Sequence, residues 1–194
     1  MENEKQLTEI ESIEVIQRMI TTVKNELEDS SFYFLLWGWL VFTASLGHYI
    51  LWGLEYSNPQ VVWLLMPAGA IITVIYGRNQ GKKQKVKSYI EDIMKYVLIA
   101  FLISLTIVLF MQWKLELSTY PMVMMIYAMW LFISGGAIKF KPLIFGGIVN
   151  WILGIISFFV TFKVQLLLLA LAVLLGYIIP GHMLKSKFQK LKAA

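Results

Sequence analysis

Charge is distributed in this chain so that six stretches of about twenty residues hold no Asp, Glu, Lys or Arg in their middles. Roughly 20 apolar residues in helical form span the hydrocarbon core of a bilayer. Within lipid, backbone groups must bond inside each segment, so a helix is the form such a run takes. The composition agrees: 58% of residues are hydrophobic and only 15% charged, against about 25% charged in soluble domains. The sequence therefore predicts an all-α integral membrane protein, a bundle of six transmembrane helices.

The expected spans are Ser31–Leu54, Pro59–Gly77, Ile93–Trp113, Tyr120–Ile138, Leu143–Val160 and Val164–Leu184. Pro59, Pro121 and Pro142 fall at or near span starts, where the missing N–H removes no hydrogen bond. Pro67 and Pro180 fall inside spans and are expected to kink them. The spans pair into three hairpins, but no residue pattern is shared among the three pairs.

Residues 1–30 read as a separate amphipathic cytosolic helix, and 185–194 as a basic cytosolic tail. Thr8 and Glu11 have capping-box spacing. Ile13, Ile16, Ile20, Val23 and Leu27 repeat at intervals of 3 and 4 and form one apolar stripe. Asp29, Ser30 and Ser31 are expected to end this helix. The first thirty residues carry eight acidic and three basic side chains. They lack the basic start and apolar centre of a cleavable leader, so the first span is expected to serve as its own insertion signal.

Lys and Arg set the orientation, because they collect in cytoplasmic loops. Fifteen of the 17 lie on one side of the expected spans, in the amino-terminal segment, the Arg78–Lys95 region, the Lys139–Lys141 loop and the tail. Only Lys114 and Lys163 lie on the other. Both termini are thus expected in the cytoplasm of a cell with the chain in its inner (plasma) membrane. Trp52, Trp63 and Trp113 fall near the outer boundary, where an interfacial aromatic belt sits.

Chemistry is hard to place on such a chain. There is no cysteine, which removes disulfides, thiolate metal sites and cysteine nucleophiles. The spans lack the mid-depth charges that proton relays use. His48 and His182 are expected on the order of 20 Å apart in depth at about 1.5 Å per residue, too far to share a metal or haem. The ten methionines read as adaptable packing, and the GRNQGKKQKVK loop as a topology signal for anionic headgroups, with no nucleic-acid partner. No phosphate loop, nucleophile elbow or HExxH motif occurs. The chain is accordingly expected to be no enzyme and to need no cofactor or metal.

Two residue sets remain as candidates. Gly147, Asn150, Gly154, Ser157 and Thr161 are spaced 3, 4, 3 and 4 along the fifth span and form a small, polar stripe expected to face the bundle interior. Trp130 and Trp151 fall near mid-depth, where they either fill the bundle or line a pocket for an apolar ligand. The stripe itself reads either as a packed seam or as one wall of a solute path.

Three stretches, FLLWGWL at Phe34–Leu40, KFKPLIFGGIVNW at Lys139–Trp151 and GYIIPGHMLK at Gly176–Lys185, make the chain resemble a group of small six-span bacterial inner-membrane proteins with an amino-terminal soluble helix. That resemblance implies the architecture already read from the residues and transfers no site. The functional expectation is an accessory or regulatory membrane module that meets a cytosolic protein partner, or itself, through residues 7–27. The alternative is a small facilitator or exporter of an apolar or neutral solute. On either reading, reporters fused at Met1 and at Ala194 are expected to signal from the cytoplasm, and alkaline phosphatase activity at Ala194 would refute the orientation.

Overall fold

The computed structural model describes residues 9–81 and 89–193, and every regular element in them is helical. Helix α1 runs from Glu9 to Gly53. A 3₁₀ turn, Pro59–Leu64, leads into α2, Leu65–Gly81. Then come α3, Tyr89–Phe110, the single turn α4, Gln112–Leu115, and α5, Thr119–Ala137. The chain closes with α6, Lys141–Ser157, α7, Phe162–Val173, a π-helical segment, Leu174–Ile178, and α8, Ile179–Ala193. Thr8, the expected cap, and Lys82–Lys87, the centre of the basic loop, lie outside the described residues.

Five stretches are long and apolar enough to cross a bilayer: Ser30–Gly53, Pro59–Asn79, Asp92–Phe110, Gln112–Ala137 and Phe162–Lys190. The expected fifth span appears as the shorter apolar helix Lys141–Ser157. At 17 residues it is about 26 Å long, near the lower limit for a span.

Two sequence expectations fail here. The first helix does not end at Asp29–Ser31 but continues through these residues as one 45-residue helix, roughly 68 Å long. Ser and Asp are only mild helix breakers, and neither Gly nor Pro stands nearby to stop propagation. Pro67 also does not interrupt a helix: it is the third residue of α2, just after the 3₁₀ turn, where its absent N–H had no helical partner to lose. Pro180 does disturb its helix. It cannot donate to the Gly176 carbonyl, and the preceding turn widens into the π segment, with the Ile179 N–H reaching back to Leu174 O.

Five helices make the core. α1 lies antiparallel to α7 and α8, with Gly38 against Tyr177 and Ile178 and Gly181 against Leu35. α5 and α6 form a close antiparallel pair, with Gly135 against Ile144, Gly147 against Ala128 and Phe132, and Gly154 against Met124 and Met125. Met124, Leu131, Leu143, Leu166, Leu169, Val41 and Leu184 are fully buried among them. α2 leans on α1, and α3 on α5.

These two outer helices bury almost nothing within the chain. Among the described side chains of α3 none is buried, and Tyr96, Ile103, Ile107 and Phe110 are more than half exposed. In water a face of this size would be an association site. Against hydrocarbon it costs nothing, because lipid is as apolar as Leu.

The loops show how the helices stop. After α1, the Tyr56 N–H reaches Leu51 O and the Glu55 N–H reaches Trp52 O. After α5, the Phe140 N–H reaches Gly135 O and the Lys139 N–H reaches Gly136 O. Both are Schellman closures, which want a left-handed residue at the turn. Glu55 (φ 55°) and Lys139 (φ 51°) occupy those positions, where a side chain costs about 1–2 kcal/mol relative to glycine. Glu55→Gly is therefore expected to raise the melting temperature of the detergent-purified protein, whereas Glu55→Val lowers it.

Candidate functional site

The small residues of α6 decide how near its neighbours come. Gly147, Asn150, Gly154 and Ser157 are all buried, as is Gly146 beside them. Ile152, Ile155 and Phe159 on the other side are exposed. Thr161 does not belong to this stripe. α6 ends at Ser157, the chain turns, and Thr161 stands exposed as the residue preceding α7.

The closest approach involves Gly146, which the sequence stripe omits. A Cβ on it would lie 2.8 Å from Gly176 Cα, in the π segment. One on Gly147 would lie 2.9 Å from Ala128 O, and one on Gly154 3.3 Å from the flexible end of Met125. The first two positions face backbone and cannot relax, whereas the third faces a side chain that can move.

Asn150 sits where these helices cross. Its amide nitrogen donates to Gly146 O on its own helix (2.8 Å) and to Ala172 O in the last turn of α7, just before the π segment (3.0 Å). Both partners are carbonyls, so the NH₂ group must face them. The side chain thereby bonds backbone beside the stretch where Pro180 breaks the regular ladder. Its own Oδ1 is buried and accepts nothing among the described residues.

A second amide does similar work at the other end of the bundle. Gln165 Nε2 donates to Leu117 O (2.8 Å), Ser157 O (3.0 Å) and Val160 O (3.4 Å), drawing the α4–α5 and α6–α7 connections onto one buried side chain. Sequence reasoning missed it. Its signal was present, as the one amide in the apolar run from Val164 to Val173.

His48 lies near the same end and is buried. Trp63 Nε1 donates to its Nδ1 at 2.9 Å, so the ring proton of a neutral imidazole sits on Nε2. Trp52, Trp63 and Phe162 surround the ring at centroid distances of 5.6–6.4 Å. This is a packed aromatic cluster that ties the turn before α2 to α1 and α7. His182 is exposed, and no group of metal-ligating side chains occurs among the described residues.

Trp130 and Trp151 do not come together. Trp130 packs on Phe101 (5.2 Å) and Trp151 on Phe132 (5.3 Å). A lateral cleft of about 870 Å³, which neither tryptophan lines, lies between α1, α2 and α8. Leu35, Leu36, Trp39, Leu40 and Leu65 give it an apolar body, and Ser31, Tyr76, Lys185 and Gln189 gather at one end. The antiparallel pairing explains this gradient. Gly77 lies beside Tyr33, and Gly181 beside Leu35, so Tyr76, Lys185 and Gln189 all arrive near Ser31.

No family model matches the chain, and no curated protein or solved structure matches it either.

What this arrangement can do chemically is hold helices together and, at the cleft, hold an elongated amphipathic molecule. Gly146→Ala is expected to destabilise the purified protein by about 1–3 kcal/mol, more than Gly154→Ala, because backbone cannot yield. Gly154→Leu should also lower stability, and Ile155→Ser should not. Asn150→Leu is expected to cost about 1–2 kcal/mol through its lost bonds, and Asn150→Asp more, since a carboxylate would face two carbonyls. Thermal melts followed by tryptophan fluorescence measure all six, and equal melts for Gly146→Ala and Gly154→Ala would overturn the ranking.

Proposed function

We propose that the chain is a non-enzymatic, multi-pass protein of the inner (plasma) membrane. On this reading it has six spans, both termini are cytoplasmic, and its amino-terminal helix is a rigid stalk that meets a cytosolic protein. Its role is accessory or regulatory. The reading agrees with the resemblance to small six-span inner-membrane proteins.

The observation that carries it is the continuity of α1. At about 68 Å the helix is more than twice the thickness of a hydrocarbon core of about 30 Å. A span that begins at Ser30 leaves residues 9–29, roughly 30 Å of helix, beyond it. The segment is acidic, which disfavours anionic lipid and favours a basic protein surface or the chain's own basic loop. The alternative, a facilitated path along the α6 stripe, has less in its favour, since Gly147 and Gly154 are closed over by α5 and Gly146 by the π segment.

Amide hydrogen exchange on the membrane-embedded protein tests the stalk. An isolated helix of some twenty residues is marginal in water. Anchored to a span or docked, amides 13–27 are expected to exchange at least tenfold more slowly than in a free peptide of residues 1–30. Ser30→Pro removes a hydrogen bond and crowds the preceding turn, at about 3 kcal/mol. It should abolish that protection while leaving the amides of α5 and α6 protected. Native amides 13–27 that exchange as fast as the peptide's would refute the stalk.

A further inference from the structure

We propose that the cleft between α1, α2 and α8 is a binding site for one anionic phospholipid, its phosphate at Lys185 and one acyl chain laid along α1. This rests on the membrane-spanning reading but not on the stalk.

The cleft is open to the side and lined mainly by Leu and aromatic side chains. In a bilayer such a space does not hold water, which would find few polar partners along its body. Nor does it stay empty, because its walls would forfeit their dispersion contacts. Hydrocarbon fills it. From Ser31 to Thr43 the lining runs twelve residues along α1, about 18 Å. That is close to half of a hydrocarbon core of about 30 Å, the depth that one leaflet's chains occupy.

Charge settles which lipid. The polar groups of the cleft collect at the end where Lys185 stands. A cation at headgroup depth beside an apolar trough is complementary to a phosphate joined to a chain. A zwitterionic headgroup gains less from it, because its own ammonium competes.

The test uses the full chain purified in a neutral detergent. Native mass spectrometry follows the binding of phosphatidylglycerol and of phosphatidylcholine with identical acyl chains. Lys185→Gln is expected to weaken phosphatidylglycerol binding about fivefold and to leave phosphatidylcholine unchanged. Lys141→Gln, outside the cleft, should change neither. Leu36→Trp, which fills the trough, should reduce both. Phosphatidylglycerol brominated on its acyl chains should quench part of the native fluorescence, and Trp39→Phe should remove much of that quenching without depending on a bulky substitution that could misfold. Equal weakening by Lys141→Gln and Lys185→Gln would overturn the site, as would quenching unaltered by Trp39→Phe. So would a dimer that Leu36→Trp dissociates, since a second copy would then be the occupant. Alkaline carbonate extraction separates the two failures. A chain that stays in the bilayer but does not prefer phosphatidylglycerol overturns this inference alone, and a chain that is released overturns the membrane reading beneath it.

Discussion

The bundle depends on one crossing, where Gly146 of α6 lies against Gly176 of the π segment with Asn150 bonded across it. Without side chains at either glycine, two backbones approach as closely as helices can, and the carbonyl of Ala172 comes within reach of an amide from the neighbouring helix. Gly38 of α1 presses on the same segment from another side, against Tyr177 and Ile178. Three helices thus meet on five residues of irregular helix. The irregularity traces to Pro180, whose ring and missing N–H loosen the turn before it. Packing then secures what proline has loosened, with Tyr177 held between Phe34 and Tyr127.

A second constraint is the solvent. Hydrophobic burial cannot explain how α3 is kept in place, since it buries no described side chain. Its contacts with α5, including Phe101 on Tyr127 and Trp130, are made by ring stacking along one edge. In hydrocarbon the association of helices rests on such van der Waals fit and on hydrogen bonds, and small residues matter more than large ones. The inner five helices follow that rule, with Gly38, Gly135, Gly146, Gly147, Gly176 and Gly181 at close approaches between them. The outer two are held by fewer contacts, and the cleft opens where α2 stands off from α8.

Much of this was legible in the sequence because hydropathy and charge act locally. Five of the six expected spans overlap stretches long and apolar enough to cross a bilayer, the fifth falls on a shorter apolar helix, and the 3–4 spacing of Gly147, Asn150, Gly154 and Ser157 marks the buried side of α6. Less was legible where the outcome turns on a neighbour. Gly146 is off the stripe by one residue, and only the position of Gly176 on another helix makes it the tighter contact. Thr161 continued the spacing on paper, but the helix had stopped four residues earlier. Asp29–Ser31 resembled a boundary because each residue alone is a weak helix former, yet weak formers without Gly or Pro among them cost only tenths of a kcal/mol each and do not halt a helix whose next turns pack in the bundle. Trp130 and Trp151 share a depth but not a direction. The cleft left no local trace at all, being a gap between three helices distant in sequence.

The unbroken length of α1 carries a further consequence, one of angle. A straight helix turns about 100° per residue, so seven residues bring a position back to within roughly 20° of where it began. Phe34, Val41 and His48 are buried at that interval, and positions 27, 20 and 13 continue it down the same helix. The bearing of the amino-terminal half is therefore geared to the bearing of the buried face, in the way two cams share a shaft. Adding one residue between positions 27 and 30 would leave the described contacts of Ser31, Phe32 and the residues after them in register, yet it would swing the far half of the rod through more than a quarter of a turn. Composition, length and charge would be nearly the same, and the chain would present a different side to whatever approaches it.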